Sequence, residues 1–135
     1  MRIFLDTNVL ESAFASRGLC AEVLELVLLD HDLILGRNVL RELEKALREK
    51  VKLSVVRSAG IVEFVSSEAT QVMGNVEPAN VNVDTADAIV LGEALAGNAD
   101  LFVTGDAVLL RLVAVGELKI VSPRQFWEVL RAGTV

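Results

Sequence analysis

The chain of 135 residues is 53% hydrophobic and 24% charged, and its formal net charge is −6. This length and composition exclude a disordered chain and predict one domain, residues 1–135, whose core needs neither disulfides nor a structural metal. The negative charge argues against a nucleic-acid-binding protein with a broad basic face, although it permits an acidic pocket that a metal ion neutralises.

Five short apolar runs have the composition of buried parallel strands. These runs are residues 3–5, 33–35, 61–65, 101–103 and 119–121. Each run is bounded by polar residues or by glycine. Glu63, inside the third run, predicts that this strand lies nearer an edge of the sheet.

Stretches with helical spacing separate these runs. The predicted helices are residues 19–29, a helix capped by Asn38, a helix from Asp84 to the stop at Gly97, a short helix after Asp106, and a last helix with Pro123 in its first turn. Residues 73–83 contain glycine, proline and three asparagines, which predicts a surface loop. The alternation predicts an α/β fold, a single three-layer sandwich with a central, mostly parallel five-stranded sheet.

Two other residue types carry little functional signal. The single cysteine, Cys20, cannot form an internal disulfide and is interpreted as a small buried apolar side chain. The single histidine, His31, follows a predicted helix, where a surface position is favoured over a general base. The start of the chain does not resemble a signal peptide, and no apolar run reaches the ~18 residues that span a membrane. We therefore expect a cytoplasmic protein without a membrane partner.

Acidic residues lie where two predicted strands end. Asp6 follows the first run and Asp106 follows the fourth, and ligands of open α/β sheets bind at such ends, where the strand order reverses. Asp87 begins the helix that leads into the fourth strand, and Glu42 lies one turn into the helix after the second. If the first strand is central and the fourth lies beside it, these four acids converge. Hard divalent cations prefer such oxygen ligands.

Each acid also has a purely structural interpretation. Asp84 and Asp106 are suitable N-caps of the helices that follow them. Glu42 is placed to pair with Lys45 on a solvated helix face. Asp6 is harder to explain in this way, because a carboxylate at the end of a buried strand is costly without a partner.

The order and contexts of the acids resemble the PIN-domain family of nucleases. The matching stretches are LDTNVL at residues 5–10, RELEKAL with Glu42, DTADA with Asp87, VTGDAVLL with Asp106, and the ending KIVSPRQFWEVL. Each motif is short, but together they cover nearly the whole chain in the expected order. The resemblance is closest to the toxin branch, whose members are toxins of toxin–antitoxin pairs.

This resemblance implies a Mg²⁺- or Mn²⁺-dependent endoribonuclease that hydrolyses RNA with a metal-activated water. It implies that Asp6, Asp87 and Asp106 bind the metal, and that Glu42 binds a second metal or orients the attacking water. The expected partners are an RNA substrate, an antitoxin protein and, in a homodimer, a second copy of the chain. Candidates for hydrogen bonds behind the metal ligands are Asn8, Thr104 and Asp84, although all three also suit turns or helix caps.

Two other functions stay open at this point. A phosphatase or phosphotransferase with an aspartyl nucleophile at a strand end is compatible with the fold. Haloacid-dehalogenase-like enzymes, however, place aspartate where this chain has Asn8, and a receiver-like phosphoacceptor needs a lysine after a strand, whereas Lys119 precedes one. The second alternative is a non-catalytic interaction module, which has no need for all four acids.

Overall fold

The computed structural model describes residues 1–132, and this part of the chain forms six β-strands and seven α-helices. The strands are β1 (Arg2–Leu5), β2 (Asp32–Gly36), β3 (Thr70–Val72), β4 (Leu101–Val103), β5 (Ala114–Val115) and β6 (Leu118–Val121). The helices are α1 (Thr7–Ala15), α2 (Leu19–Asp30), α3 (Arg37–Glu49), α4 (Val55–Glu68), α5 (Thr85–Ala96), α6 (Ala107–Leu110) and α7 (Pro123–Arg131). No helix in residues 1–132 is long and apolar enough to cross a membrane.

The strands form one sheet in the order β3-β2-β1-β4-β6-β5. β1 pairs in parallel with β2 on one side and with β4 on the other, and only β5 runs antiparallel. The strand order therefore reverses between β1 and β4, which confirms the predicted switch point at the carboxyl ends of these two strands.

The centre of the sheet is covered on both faces. Ile3, Phe4 and Leu5 of β1 are all 0% exposed, and a strand reaches this state only when helices pack on both sides of it. The Phe4 ring stacks on the Phe102 ring of β4, with centroids 5.2 Å apart. The α/β fold with a mostly parallel central sheet is thus confirmed, and its central pair is the best-buried part of the structure.

The predicted five-stranded sheet was wrong in two details. Residues 61–65 are not a strand, because they lie inside α4, and β3 is the later segment Thr70–Val72. Val65 is buried while Phe64 is exposed, as expected of one helix face, and periodicity alone does not separate a short apolar run in a helix from a strand. The sixth strand, β5, has two residues and pairs with β6 across a turn at Gly116, where φ is +59°.

The start of α3 differs from the expectation that Asn38 caps it. Gly36 holds the N-cap position and provides no side-chain cap, while Asn38 lies inside the helix. The cap comes from Glu93 of α5, whose Oε2 accepts from Asn38 N at 3.1 Å and from Asn38 Nδ2 at 3.2 Å. A Cβ atom on Gly36 would collide with the Glu93 carboxylate. This long-range cap fixes the helix that carries Glu42.

The other predicted helix ends agree with the structure. The Asp84 side chain caps α5 by accepting from Asp87 N at 2.8 Å, and Gly97 is the C-cap of that helix. Pro123 lies in the first turn of α7, where Ser122 forms a capping box. Residues 73–83 contain no helix or strand, as predicted for a loop.

Cys20 was expected to be buried and His31 to lie on the surface. Both side chains are half-buried, so neither expectation is met. Burial raises the pKa of the Cys20 thiol and lowers that of the His31 imidazole. The His31 ring meets the Phe126 ring edge-on, with centroids 6.0 Å apart. The histidine therefore packs against the last helix.

Candidate active site

Asp6 is the anchor of the candidate site. It follows β1 directly, forms the N-cap of α1, and is only 7% exposed. Its carboxylate accepts from Thr7 N at 2.8 Å, from Thr104 Oγ1 at 2.8 Å and from Asn8 Nδ2 at 3.1 Å. Burial raises the pKa of Asp6 above its usual value, while these hydrogen bonds act in the opposite direction. A carboxylate accepts up to about four hydrogen bonds, so Asp6 retains capacity for a further partner.

Asn8 and Thr104 join the end of β1 to the end of β4. The fully buried Thr104 hydroxyl donates to Asp6 and accepts from Asp106 N at 3.0 Å. The Asn8 side-chain oxygen accepts from Gly105 N at 2.8 Å. These contacts suit the supporting role that the resemblance implied for both residues, because they hold Asp6 and the Asp106 backbone in one network.

Asp106 and Asp87 are half-buried and lie at helix starts. Asp106 caps α6 by accepting from Val108 N at 2.8 Å. Asp87 lies in the first turn of α5, and its pKa is raised to about 6, first by burial and then by the negative charges of Asp84, Asp106, Asp6 and Glu42. These charges raise the pKa only because the four carboxylates lie close to Asp87.

Glu42 lies on the exposed face of α3 and is tied to the same strand end. Its Oε2 accepts from Thr7 Oγ1 at 2.8 Å. The expected alternative, a salt bridge to Lys45, is not formed among residues 1–132, where the ion pairs within 4.0 Å are Glu44–Arg48 and Arg124–Glu128. Glu42 therefore faces the acids and leaves Lys45 unpaired.

The four acids line one cleft of about 440 Å³. Sequence reasoning missed further charged residues of its wall: Glu11, Lys45, Glu49 and Lys50. Three of them lie on or next to α3 within two turns of Glu42, so helical spacing was the available signal. Glu11 lies one turn after Thr7 on α1, a helix that the apolar pattern did not reveal.

The carboxylates of the cleft have the chemistry of ligands for a divalent cation. Carboxylate oxygens are the ligands that Mg²⁺ prefers, and the cleft concentrates negative charge around Asp87. Within residues 1–132, however, no three His, Cys, Asp or Glu side chains already lie close enough together to hold a metal. The carboxylates of the four acids fit a cation in chemistry, and they would have to move closer together than they lie in residues 1–132 to bind it.

The chain resembles known proteins in both sequence and fold. Residues 2–107 match the family model described as PIN domain. No curated protein matches the chain. The solved structures that share the fold include VapBC2 from Rickettsia felis bound to a DNA fragment from their promoter, and VapBC-1 from nontypeable Haemophilus influenzae.

The structural similarity extends over almost the full length of both chains in each comparison. The Rickettsia structure has 16% identity and a TM-score of 0.67, covering 90% of this chain and 98% of that chain. The Haemophilus structure has 17% identity and a TM-score of 0.66, covering 92% and 99%. At this identity the similarity concerns the fold, whereas the family match covers most of the sequence. The chain therefore belongs to the PIN-domain family.

Proposed function

We propose that this protein is a Mg²⁺- or Mn²⁺-dependent endoribonuclease of the cytoplasm and acts as the toxin of a toxin–antitoxin pair. The observation that carries the nuclease assignment is the convergence of Asp6, Glu42, Asp87 and Asp106 on one cleft. The four residues come from separate parts of the chain, and they lie at the switch point of a PIN-domain fold.

Each acid has a role that follows from its surroundings. Asp6, Asp87 and Asp106 would hold the cation, with Asp6 kept in place by Thr104 and other hydrogen-bond donors. A bound Mg²⁺ or Mn²⁺ would stabilise charge on the phosphate oxygens and lower the pKa of a water molecule. Glu42, oriented by Thr7, would align this attacking water.

The reaction is a hydrolysis. Water supplies the new oxygen on phosphorus and, in net terms, the proton on the leaving 3′-oxygen. The water oxygen forms the bond to phosphorus, the bond from phosphorus to the 3′-oxygen breaks, and the leaving oxygen takes a proton. The products carry a 5′-phosphate and a 3′-hydroxyl. The RNA 2′-hydroxyl is not the nucleophile, so a 2′,3′-cyclic phosphate as the primary end group would contradict this route.

An aspartyl-phosphate mechanism fits the local geometry less well. Its nucleophile would be Asp6, but this carboxylate is 7% exposed and already accepts three hydrogen bonds. Asn8, where dehalogenase-like enzymes have an aspartate, bonds to Asp6 and Gly105. The phosphatase alternative is therefore not carried by any observation at this site.

The toxin role rests on different support. The sequence resembles the toxin branch of the family, and the two structurally similar proteins are VapBC2 and VapBC-1. An antitoxin could neutralise the acidic cleft by placing a basic side chain among the four carboxylates. Co-purification from the native host without any small partner, and expression without growth arrest, would remove this part of the proposal and leave the nuclease.

The direct test compares Asp6→Asn with Asp30→Asn on a short fluorescent RNA. Asp6→Asn removes one ligand charge at nearly constant shape, whereas Asp30 is an exposed acid at the end of α2. We expect Asp6→Asn to lose cleavage by roughly a hundredfold or more, as for other single groups that stabilise transition-state charge. Asp30→Asn should cleave like the wild type. Cleavage that continues in excess EDTA, or equal rates for the two variants, would contradict the assignment.

A further inference from the structure

A second pocket lies beside the acidic cleft, on the same edge of the sheet. It has a volume of about 540 Å³ and opens where β2 and β3 end, between α3, α4 and the loop of residues 73–83. This volume is in the range of sites that hold small ligands. The two concavities share α3, because Arg41 lines this pocket while the next residue, Glu42, lines the cleft.

Three cations on α3 connect the pocket with the cleft. Arg37, Arg41 and Lys45 are exposed and follow one another at intervals of four residues, so they lie on one helix face about 6 Å apart along its axis. Among residues 1–132 none of them forms an ion pair within 4.0 Å, and the nearby Glu44 is paired with Arg48. In a chain with a net charge of −6, this row of cations without ion pairs in residues 1–132 is a local concentration of positive charge.

A buried carboxylate lines the same pocket. Glu93 is 3% exposed, and its Oε2 accepts from Asn38, but its Oε1 has no hydrogen-bond partner among the described residues. A buried acceptor without a partner is costly, and a carboxylate accepts only. The pocket therefore favours a ligand that brings an N–H donor together with negative charge.

We propose that this pocket holds one base of the RNA strand beside the cleaved bond, and that Arg37, Arg41 and Lys45 bind the phosphates between pocket and cleft. A nucleotide combines the two required features, a phosphate for the cations and, in adenine, cytosine and guanine, an amino group for Glu93. Uracil has no exocyclic amino group, and its N3–H lies between two carbonyl oxygens that a carboxylate repels. The inference rests on the proposed function, since it extends the RNA path that leads to the acids.

The loop of residues 73–83 contributes residues 73–75 to the wall of the pocket that Glu93 also lines. One backbone hydrogen bond, from Val76 N to Gly92 O at 2.9 Å, attaches it to α5. Gly92 permits this approach, because a Cβ atom there would lie 2.7 Å from Val76 O. The loop is therefore attached to α5 directly beside Glu93, the residue that would bind the base.

The first experiment measures RNA binding rather than cleavage. Fluorescence anisotropy with labelled single-stranded 8-mers is recorded in an Asp106→Asn background that prevents turnover. Replacing Arg37 and Arg41 by glutamine should weaken Kd by about tenfold and reduce the slope of log Kd against log salt by about 1 to 2. The control pair, Arg17→Gln with Arg57→Gln, removes the same charge at exposed sites outside the pocket. Equal weakening by both pairs would overturn the proposal.

The second experiment tests base selection. Oligo(A) and oligo(C) should bind the wild-type site more tightly than oligo(U), and Glu93→Gln should abolish or reverse this order, because an amide can donate to a uracil oxygen. Glutamine keeps the length of the side chain and an acceptor for Asn38. If Glu93→Gln does not fold, the wild-type measurement still tests the proposal. Equal wild-type affinities for oligo(A), oligo(C) and oligo(U) would overturn the inference that Glu93 selects the base.

The outcomes separate this inference from the proposed nuclease activity. Wild-type protein that binds RNA through the arginines but never cleaves it would support the pocket and contradict the nuclease. Cleavage with equal KM in the two arginine pairs would overturn the pocket and leave the nuclease intact. If the Arg37 and Arg41 variant binds RNA normally but no longer captures a protein partner, the surface recognises protein and the proposal is wrong.

Discussion

Two buried carboxylates on the same edge of the sheet have very different surroundings. Among residues 1–132, Asp6, beside β1 and β4, accepts from three residues, whereas Glu93, beside β2, accepts only from Asn38. Both are nearly inaccessible, with 7% and 3% exposure. Asp6 thus serves as a fixed point in a dense network, and Glu93 holds a helix start with one oxygen while the other has no donor in the described structure.

The comparison shows that burial of an acid does not by itself identify its role. The donors around Asp6 come from its own chain neighbourhood and from Thr104, which directly follows β4, so the position of this one carboxylate is fixed. The donor to Glu93 comes from the start of α3, so this acid links two helices. Changes at each carboxylate should therefore affect different properties, and the following variants test this difference.

Gly36→Ala should have the largest effect on stability. A Cβ atom at Gly36 would collide with the Glu93 carboxylate and displace the cap of α3. We expect a loss of about 3 kcal/mol in the free energy of unfolding, at the upper end for overpacking of a closed site. Urea denaturation measures it. The control is Gly60→Ala, an open position inside α4, which should stabilise by up to about 1 kcal/mol. A neutral Gly36→Ala would show that Glu93 moves without cost.

Divalent cation should stabilise the acidic cleft by a comparable amount. Ligand at a hundredfold excess over Kd adds about 2.7 kcal/mol to the native state, because four carboxylates that repel one another gain a shared counter-ion. The melting temperature with and without Mn²⁺ measures this gain. Asp106→Asn should reduce the response and Asp30→Asn should keep it. A wild-type melting temperature that is the same with and without Mn²⁺ would contradict metal binding at the cleft.

Thr104→Val should lower the free energy of unfolding by a somewhat smaller amount. The loss should come from the hydrogen bonds around Asp6. It removes the donor at 2.8 Å from Asp6 and the acceptor of Asp106 N in a fully buried position. Because Asp6 keeps its two other donors and Asp106 N is only partly buried, we expect a total cost of about 1–2 kcal/mol, at the low end for unsatisfied buried groups. The exposed Thr70→Val in β3 is the control and should change stability by less than about 0.5 kcal/mol. If Thr104→Val and Thr70→Val lower the free energy of unfolding by equal, small amounts in denaturation experiments, the hydrogen-bond network of Asp6 is not rigid.

The smallest expected effect is a pH dependence. The pKa of Asp87 is about 6 in the folded protein against 3.8 as its ordinary value, so the folded state binds more protons than the unfolded state between these values. The stability of the metal-free protein should therefore rise as pH falls from 7 towards 4. Asp87→Asn should flatten this rise, and Asp30→Asn should not. A stability that falls over this interval, measured in EDTA, would contradict the mutual repulsion of the acids.

Much of the acidic cleft was predictable because its signals are local. Asp6 and Asp106 directly follow or nearly follow apolar strands, and parallel strands bring their carboxyl ends to one edge. Asp84 was predictable as a cap, because an N-cap bonds to residues two or three positions ahead. By contrast, residues 61–65 were assigned to a strand, since five apolar-rich residues satisfy both a strand and one buried helix face.

The second pocket was not predictable in the same way. Glu93 lies in the middle of an apolar helix, and nothing near it in sequence indicates a capping role. Its partner Asn38 is 55 residues away, and their contact exists only because α5 and β2 pack together. The sequence shows Arg37, Arg41 and Lys45 as separate charges, and only the fold places them between two concavities.

The sequence by itself determined the alternation of strands and helices, the acids at the strand ends and the family motifs, because these depend on residues adjacent in the chain. The tertiary structure decided the strand order, the hydrogen bond that Thr104 donates to Asp6 across 98 positions, and the position of Glu93 at the start of α3. Local patterns reflect the preferences of the backbone, whereas these contacts depend on which distant surfaces bury one another.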